Sequence, residues 1–212
     1  MDITQVFNFF FSQYLDYTAL EFYLELTGVI FGVLSVWFAK KNNIIVFPTG
    51  LISTGIYVYL LFKWSLLGDL LINIYFFLMG LYGWYFWNKK TIGKPINFIK
   101  SFSNDEQIKV IILVVLSLIF VTGLYTFFEK WNSSFAWVDT FTTSLFFAGM
   151  WLMARRKIEH WIFWIIGDII SVPLYFYKGH ALTSIQYLIF TILAIQGYRE
   201  WKIKLNKKNQ TV

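Results

Sequence analysis

The chain has 212 residues, of which 58% are hydrophobic, 22% aromatic and only 14% charged. This composition is too apolar for an ordinary soluble domain. The chain also has too few turn residues between its apolar stretches for a β-sandwich or barrel. We therefore predict an all-α integral membrane protein. The net charge of +6 comes from basic residues clustered between apolar stretches, as topology determinants are, and no nucleic-acid partner is expected.

Residues 1–20 are predicted to form an N-terminal segment at the surface of the lipid bilayer. Its aromatic patch at residues 8–11 is too short to cross a bilayer, which needs about 20 apolar residues. The segment begins with an acid and has neither a basic region nor a small-residue cleavage site, so we expect no cleavable signal peptide.

Residues 21–87 are predicted to form a first unit of three spanning helices. Gly28 and Gly32 in its first span are a small-xxx-small pair, which allows another helix to approach closely. The spans are expected at about residues 22–39, 43–62 and 66–87.

Polar side chains recur at helical spacing in the second and third spans. Thr49, Ser53 and Tyr57 form a stripe on the second, so one side of this helix should meet protein or water. The third places an acid and an amide, Asp69 and Asn73, one turn apart on a face that also carries aromatic residues.

The second half of the chain is predicted to repeat this plan after a connecting helix. A polar linker at residues 88–106 precedes a connecting helix at residues 107–130, and a second three-helix unit at residues 131–202 precedes a polar tail at residues 203–212. The spans of the second unit are expected at about residues 141–153, extending back to 137, then 160–177 and 181–201. Seven spans result.

The distribution of charge predicts the orientation. With the N-terminus outside and seven spans, 15 of the 18 Lys and Arg residues fall inside, and only Lys63, Lys130 and Lys178 fall outside. Every loop then satisfies the positive-inside rule, so we predict the N-terminus outside and the C-terminus inside.

The two three-helix units also resemble each other in sequence. Ala39, which precedes two lysines, matches Ala154, which precedes two arginines, and Trp87 matches Trp201, each four residues after a glycine. Three such matches lie 114 to 118 residues apart. Parallel repeats with a binding site at their interface are typical of transporters.

The sixth span carries the strongest candidate for a binding site. Trp161, Trp164 and Asp168 lie at i, i+3 and i+7, so two indoles and a carboxylate share one face of a helix. A carboxylate among lipid-facing residues is costly unless it faces protein, water or a cationic ligand. Aromatic faces and negative charge both attract a flat organic cation. The alternative for the two tryptophans is anchoring at the membrane interface.

Residues for catalysis, metal binding or nucleotide hydrolysis are scarce. The chain has no cysteine, and its histidines, His160 and His180, are expected to be solvated loop residues at helix ends. No phosphate-binding G-x-x-x-x-G-K-[ST] loop occurs. Neither a filter-like loop nor a charged ring indicates a channel. We therefore expect no enzyme, no cofactor and no metal, and favour a carrier over a channel.

The chain resembles the Pnu family of bacterial vitamin transporters over about residues 20–202. The resemblance implies a three-plus-one-plus-three arrangement like that of the SWEET sugar transporters, located in the inner membrane. It also implies facilitated diffusion by alternating access, with the vitamin trapped by a cytoplasmic kinase, and a homo-oligomer is compatible with it. The motifs that carry it are Glu25-x-x-Gly28-x-x-x-Gly32, Leu-Tyr-Gly-Trp-Tyr-Phe-Trp at residues 81–87, Asp139 with Ser144, Trp161-x-x-Trp164 and Gly197-x-x-x-Trp201.

The resemblance implies nicotinamide riboside as the substrate, with thiamine as the alternative. Asn73 stands where a Gln is expected in the members that transport nicotinamide riboside, and Asp168 where an Asn is expected, so the choice of vitamin stays open. The substrate contacts that we expect are Trp161, Trp164 and Asp168, with Thr49, Ser53, Tyr57, Asp69, Asn73 and Gln186 as polar partners.

Overall fold

The all-α fold is confirmed by the computed structural model, which describes residues 17–91, 94–95, 98–129, 131, 135–178 and 181–210. Most of the predicted N-terminal segment, together with His180 and Lys130, therefore lies outside the described residues. Seven helices occur within these ranges: α1 (Ala19–Lys40), α2 (Val46–Lys63), α3 (Leu67–Asn88), α4 (Asn104–Phe127), α5 (Ala136–Ala154), α6 (His160–Tyr177) and α7 (Ala181–Gln210).

The helix boundaries follow local capping signals. α4 begins earlier than predicted because Ser103 and Glu106 form a capping box: the Ser103 backbone N–H donates to the Glu106 carboxylate at 2.9 Å, and the Ser103 hydroxyl accepts from the Glu106 N–H. α7 continues to Gln210, so residues 203–210 of the predicted tail extend this helix. Residues 203–210 include neither glycine nor proline, so nothing in this stretch interrupts the helix.

Five of the described helices are long and apolar enough to cross a membrane by length and composition, namely α1, α2, α3, α4 and α6. α5, which was expected to be the weakest span by hydropathy, does not meet the same test. The lower hydropathy of α5 is explained by its position between α3, α4 and α6, where most of its residues are buried against protein. A helix that exposes little surface to lipid does not need a uniformly apolar surface.

Six of the helices form a closed ring. Going round it, α1 packs on α2, α2 on α3, α3 on α5, α5 on α6, α6 on α7, and α7 returns to α1. α4 lies outside the ring and packs chiefly on α5. Its outer surface is strongly apolar, with Ile111, Ile119 and Leu116 all more than half exposed. This is the surface expected of a helix that faces lipid.

The polar linker between α3 and α4 is tied to the loop between α5 and α6. Two short antiparallel strands, β1 (Lys90–Thr91) and β2 (Lys94–Pro95), were not predicted. Beyond them, the Lys100 N–H donates to the Arg156 carbonyl at 3.1 Å, and the Ile158 N–H donates to the Lys100 carbonyl at 3.0 Å. The linker is therefore held against the second helical unit.

The basic clusters meet at one end of the bundle, which we call the basic end. Lys41, the residue after α1, forms an ion pair with Glu200 of α7 at 3.2 Å. The Arg156 guanidinium lies 3.9 Å from the ring centroid of Trp87. At the opposite end, Lys63 pairs with Glu21 at 3.1 Å. The segments that contain Lys41, Arg156 and Glu200 at the basic end were all predicted to lie on the same side of the membrane.

Candidate functional site

Asp168 in the middle of α6 is the most unusual buried residue of the described chain. Its side chain is 1% exposed, and neither carboxylate oxygen has a hydrogen-bond partner among the described residues. Burying a carboxylate costs several kcal/mol unless other groups compensate it. In a membrane helix such a group is a functional-site hypothesis by default.

A ladder of aromatic rings lies alongside Asp168. The Trp164 and Phe146 ring centroids are 5.3 Å apart, those of Phe146 and Tyr187 are 6.0 Å apart and nearly parallel, and those of Tyr187 and Tyr175 are 5.0 Å apart. We call these four residues the aromatic ladder. Asp168 lies one turn beyond Trp164 on α6, which places the carboxylate close to the ladder. Ring faces next to a carboxylate form an environment that favours a flat cation.

Two glycines allow the ladder to form. A side chain at Gly167 would collide with the Phe146 ring, and a Cβ at Gly149 would lie 2.9 Å from the Trp164 indole nitrogen. Because neither position carries a side chain, α5 and α6 bring each ring directly onto the backbone of the other helix. These two contacts also define how the antiparallel helices α5 and α6 align.

Acidic residues lie at the end of the ladder that is remote from the basic end. Asp139 of α5 pairs with Lys178 and accepts a hydrogen bond of 3.0 Å from the Tyr125 hydroxyl. Lys178 also lies 5.1 Å from the Tyr175 ring centroid, and Asp69 is in the first turn of α3, at the same end of the bundle. Negative charge at the mouth of a site raises the local concentration of cations.

Trp161 shares a helix face with Trp164 and Asp168, as predicted, but packs differently. Its ring is 2% exposed and meets Trp201 of α7 edge to face, with centroids 5.8 Å apart. A Cβ at Gly197 would lie within 2.7 Å of three atoms of this indole. Trp161 therefore fills the α6–α7 contact at the basic end.

The prediction that His160 is solvated is wrong. His160 is fully buried, with its ring 4.7 Å from that of Trp201 and its Nδ1 2.6 Å from the Lys157 carbonyl oxygen. The basic residues before it suggested a solvated loop, but the chain turns at Lys157 and brings the imidazole under the α7 indole.

The polar stripe of α2 faces α1. The Ser53 hydroxyl donates to the Gly28 carbonyl at 2.8 Å, and the Thr49 hydroxyl donates to the Ile45 carbonyl of its own helix at 2.7 Å. The Tyr57 ring lies 3.2 Å from the position that a Cβ on Gly28 would occupy. The stripe thus meets protein, and its role in substrate binding stays a prediction.

The two predicted amide contacts are half-buried on α3 and α7, two helices that are not neighbours in the ring. The Asn73 amide donates to the Asp69 carbonyl one turn earlier at 3.3 Å. Gln186 precedes Tyr187 of the aromatic ladder on α7. Both remain predicted substrate contacts.

Sequence reasoning missed three rings of the aromatic ladder, Phe146, Tyr175 and Tyr187, and one buried polar residue on the Asp168 face, Ser171. Ser171 follows Asp168 at i+3, so an extended search of the same helix face finds it. Phe146 and Tyr187 lie on other helices, and their approach depends on how α5 and α7 are rotated. No group of three or more His, Cys, Asp or Glu side chains suited to a metal ion occurs among the described residues.

Comparisons with known proteins agree in family and fold. Residues 22–203 match the family described as Nicotinamide mononucleotide transporter. The chain is 25% identical over 202 residues to the nicotinamide riboside transporter PnuC of Escherichia coli K12, with 84% of each chain covered. It is 24% identical over 195 residues to the riboflavin/roseoflavin transporter RibM of Streptomyces davaonensis, covering 89% of this chain and 88% of that protein. The crystal structure of the vitamin B3 transporter PnuC has a similar fold, with a TM-score of 0.67 at 20% identity, covering 96% of this chain and 87% of that one.

Proposed function

Because the chain belongs to the nicotinamide mononucleotide transporter family, we propose that it takes up nicotinamide riboside, a form of vitamin B3 and a precursor of NAD. It is a membrane transporter and not an enzyme, as are the relatives named PnuC and RibM. The observation that favours a flat cation is Asp168, a buried carboxylate without a partner among the described residues, beside the aromatic ladder. Among flat cations, the similarity to a nicotinamide riboside transporter favours this substrate. A pyridinium ring has the flat shape and the positive charge that this environment favours.

The helices are arranged as two parallel three-helix units joined by a connecting helix, in the manner of SWEET transporters. The ring of six helices with α4 outside it supports this proposal. Each unit contributes three consecutive helices to the ring, and the units meet at two seams, α1 with α7 and α3 with α5. The substrate path runs between the units, where parallel-repeat transporters bind their substrates.

The transporter lies in the bacterial inner membrane with its N-terminus outside and its C-terminus inside. The gathering of basic segments at one end of the bundle supports this orientation. A fluorescent protein fused after Lys90 should be active, and a phosphatase fused after Lys130 should also be active. The reverse pattern of activities would overturn the orientation.

Uptake is facilitated diffusion by alternating access, and a cytoplasmic kinase traps the product by phosphorylation. A phosphorylated substrate is rejected, because its negative charge meets Asp168 and the acids at the mouth of the ladder. Proteoliposomes without proton or sodium gradients should still accumulate nicotinamide riboside when the kinase and ATP are enclosed. Loss of this uptake on collapsing the gradients would show coupled transport instead.

Calorimetry of the purified protein against nicotinamide riboside, thiamine and riboflavin tests the choice of substrate. We expect heat of binding with nicotinamide riboside and little with riboflavin, whose neutral ring gains nothing from a buried carboxylate. Thiamine is the second candidate, because it is also a flat cation and its aminopyrimidine suits Asp168. Heat with thiamine alone would replace the first choice.

A further inference from the structure

At its Tyr175 end, which is remote from the basic end, the aromatic ladder already holds a cation, the protein's own Lys178. The Lys178 ammonium lies 5.1 Å from the centroid of the Tyr175 ring, within the range of a cation–π contact, and it pairs with the Asp139 carboxylate. Tyr175 in turn stacks on Tyr187, with ring centroids 5.0 Å apart. A ring of the ladder and a carboxylate thus hold a positive charge together at this end.

Helices α1 and α2 contain a matching ion pair that does not involve the ladder. Lys63 pairs with Glu21 at 3.1 Å, and Lys63 and Lys178 are 115 residues apart, within the range of the sequence matches between the two units. Both pairs join the end of one helix to the first turn of the helix before it. The ion pair itself is therefore repeated in the fold, and a special role has to come from what differs between the two copies.

The two copies differ in the other groups that hold the acid. The Glu21 carboxylate accepts from the Thr18 N–H at 2.8 Å, from the Thr18 hydroxyl at 2.6 Å and from the Trp64 indole N–H at 3.0 Å. Among the described residues, Asp139 accepts from the Tyr125 hydroxyl alone besides its lysine, and both contacts end on the same oxygen, Oδ2. A half-buried carboxylate needs donors or cations to offset its lost hydration. Asp139 therefore relies on a cation more than Glu21 does.

The pair of Lys178 and Asp139 is open to exchange with another cation. Their side chains are 22% and 16% exposed, so solvent reaches both partners. Partly exposed ion pairs are weak, and Lys178 follows the end of α6, so its flexible stem can swing the ammonium away while the helix stays in place. A flat organic cation offers Asp139 the same charge and offers Tyr175 a ring to stack on, which an ammonium does not.

We propose that Asp139 and Tyr175 form an entry subsite for the cationic substrate, which Lys178 occupies while the protein is empty. An arriving cation displaces the ammonium, binds to the acid and the ring, and then passes along the aromatic ladder, beside which Asp168 lies. The inference rests on the proposed function, because it needs a flat cationic substrate. Lys178 acts as a tethered competitor and determines how strongly a cation has to bind in order to enter.

The test removes the tethered cation and measures the affinity for a simple organic cation. The probe is 1-methylnicotinamide, which has the flat ring and fixed charge of nicotinamide riboside but no ribose. Its dissociation constant is measured by calorimetry for the wild-type protein, for the neutral variants Lys178→Met and Lys178→Gln, and for Lys178→Arg. Lys63→Met is the matched control, because it removes the lysine of the corresponding ion pair, at the same end of the bundle but away from the ladder.

Each neutral variant of Lys178 should bind the probe about 3- to 10-fold more tightly than the wild type, the range expected when a competing ion pair and cation–π contact are removed. Lys178→Arg should show no such gain, because a guanidinium takes the same place. Lys63→Met should bind the probe within about twofold of the wild type, since a distant exposed charge is screened. Melting temperatures of the neutral variants should not rise, so affinity and stability move apart, whereas a purely structural ion pair would lose both.

A second substitution shows whether the gain depends on the acid. Asp139→Asn keeps an acceptor for the Tyr125 hydroxyl but removes the charge. Added to Lys178→Met, it should cancel the gain in affinity for the probe. A gain that persists in the double variant, an equal gain in Lys63→Met, or no gain in either neutral variant overturns the proposal.

Failure of the proposed substrate is recognised separately, from titration of the wild-type protein with nicotinamide riboside. If the wild type does not bind this vitamin, but Lys178→Met gains an affinity for the probe that Asp139→Asn cancels, the choice of vitamin is wrong and the subsite is supported. If the wild type binds nicotinamide riboside and the neutral variants gain nothing for the probe, the substrate stands and the subsite is overturned. Probe binding to none of the proteins also overturns the subsite.

Discussion

The indole Nε1 of Trp201 donates a hydrogen bond of 2.9 Å to the carbonyl oxygen of Ala39, which joins the C-terminal half of α7 to the end of α1. Trp87, at the end of α3, donates in the same way to the carbonyl of Ala154, at the end of α5, at 3.2 Å. Ala39 matches Ala154 in the sequence repeat, and Trp87 matches Trp201. The same indole–carbonyl bond therefore ties α7 to α1 and α3 to α5.

The likeness extends to the rings that pack on these two indoles. Phe47 of α2 meets Trp87 with centroids 5.0 Å apart at 87°, and Trp161 of α6 meets Trp201 with centroids 5.8 Å apart at 88°. Phe47 and Trp161 are 114 residues apart, as are Trp87 and Trp201. This correspondence explains why Trp161 packs at the basic end, whereas Trp164 belongs to the aromatic ladder. A substrate contact of Trp161 stays a prediction.

Trp201→Phe should destabilise the protein in detergent by about 1 to 3 kcal/mol, because it leaves the buried Ala39 carbonyl without its donor and removes part of a buried ring. Trp87→Phe should act in the same direction. Thermal melting measures both variants, with Trp137→Phe as the control, since Trp137 is 67% exposed. Equal melting of Trp201→Phe and the control would show that the seam contributes no stability.

Gly197→Ala should destabilise the protein by about 1 to 3 kcal/mol, since its new methyl group would overlap the rigid Trp161 indole. Gly123→Ala is the matched control. A Cβ at Gly123 meets nothing within 4 Å, so this change should stabilise α4 by up to about 1 kcal/mol through helix propensity. Melting temperatures of the two variants should move in opposite directions. A shared direction would contradict the packing argument.

The sequence predicted those features that depend on a single helix or on repetition. The apolar stretch around Asp168 defined α6 with both ends correct, because a membrane span has to be long and apolar. The matches of Ala39 with Ala154 and of Trp87 with Trp201 anticipated residues that occupy corresponding places in the structure.

Features that depend on helix rotation or on chain reversal were not predictable. Phe146 and Tyr187 join the site only because α5 and α7 turn those faces toward α6. His160 has basic neighbours in sequence, yet its burial depends on Trp201, which is 41 residues further along. A single sequence carries no signal for such long-range packing.

Glu159→Gln should flatten the dependence of stability on pH. Glu159 precedes α6, and burial raises its pKa above the ordinary 4.5, although the Phe102 N–H at 3.1 Å and the charge of Lys157 oppose the shift. Because the folded state then binds the Glu159 proton more tightly than the unfolded state does, the contribution of Glu159 to stability is fully present below pH 4.5. It is lost as the pH rises through the raised pKa.

The measurement is a melting series between about pH 5 and pH 7.5 for both proteins. Glu159→Gln keeps an acceptor for Phe102, so its melting temperature at the upper end should equal or exceed that of the wild type. Asp105→Asn, which changes an exposed carboxylate, should follow the wild type throughout. A Glu159→Gln curve parallel to the wild type would contradict the raised pKa.

Asp168→Asn should weaken binding of a cationic substrate about 5- to 30-fold, which corresponds to about 1 to 2 kcal/mol for a lost cation contact. It should raise the melting temperature of the empty protein, because it removes a buried carboxylate that has no partner among the described residues. Family members that transport nicotinamide riboside are expected to carry Asn here, so uptake should persist at a higher KM. A variant that loses both stability and binding would point to a structural role for Asp168 instead.

Linking α1 to α7 at the basic end should block uptake. Alternating access requires the two units to separate at this end, and Lys41 and Glu200 lie 3.2 Å apart across the α1–α7 seam. The chain has no cysteine, so Lys41→Cys with Glu200→Cys introduces a single thiol pair.

Glu21→Cys with Lys63→Cys is the matched control, since the charged groups of these residues are 3.1 Å apart within one unit. Proteoliposome uptake is measured after treatment with a short reagent that joins two thiols and is removed by reduction. The first pair should lose uptake and regain it on reduction, while the control pair keeps it; full uptake in the linked first pair would show that this seam stays closed during transport.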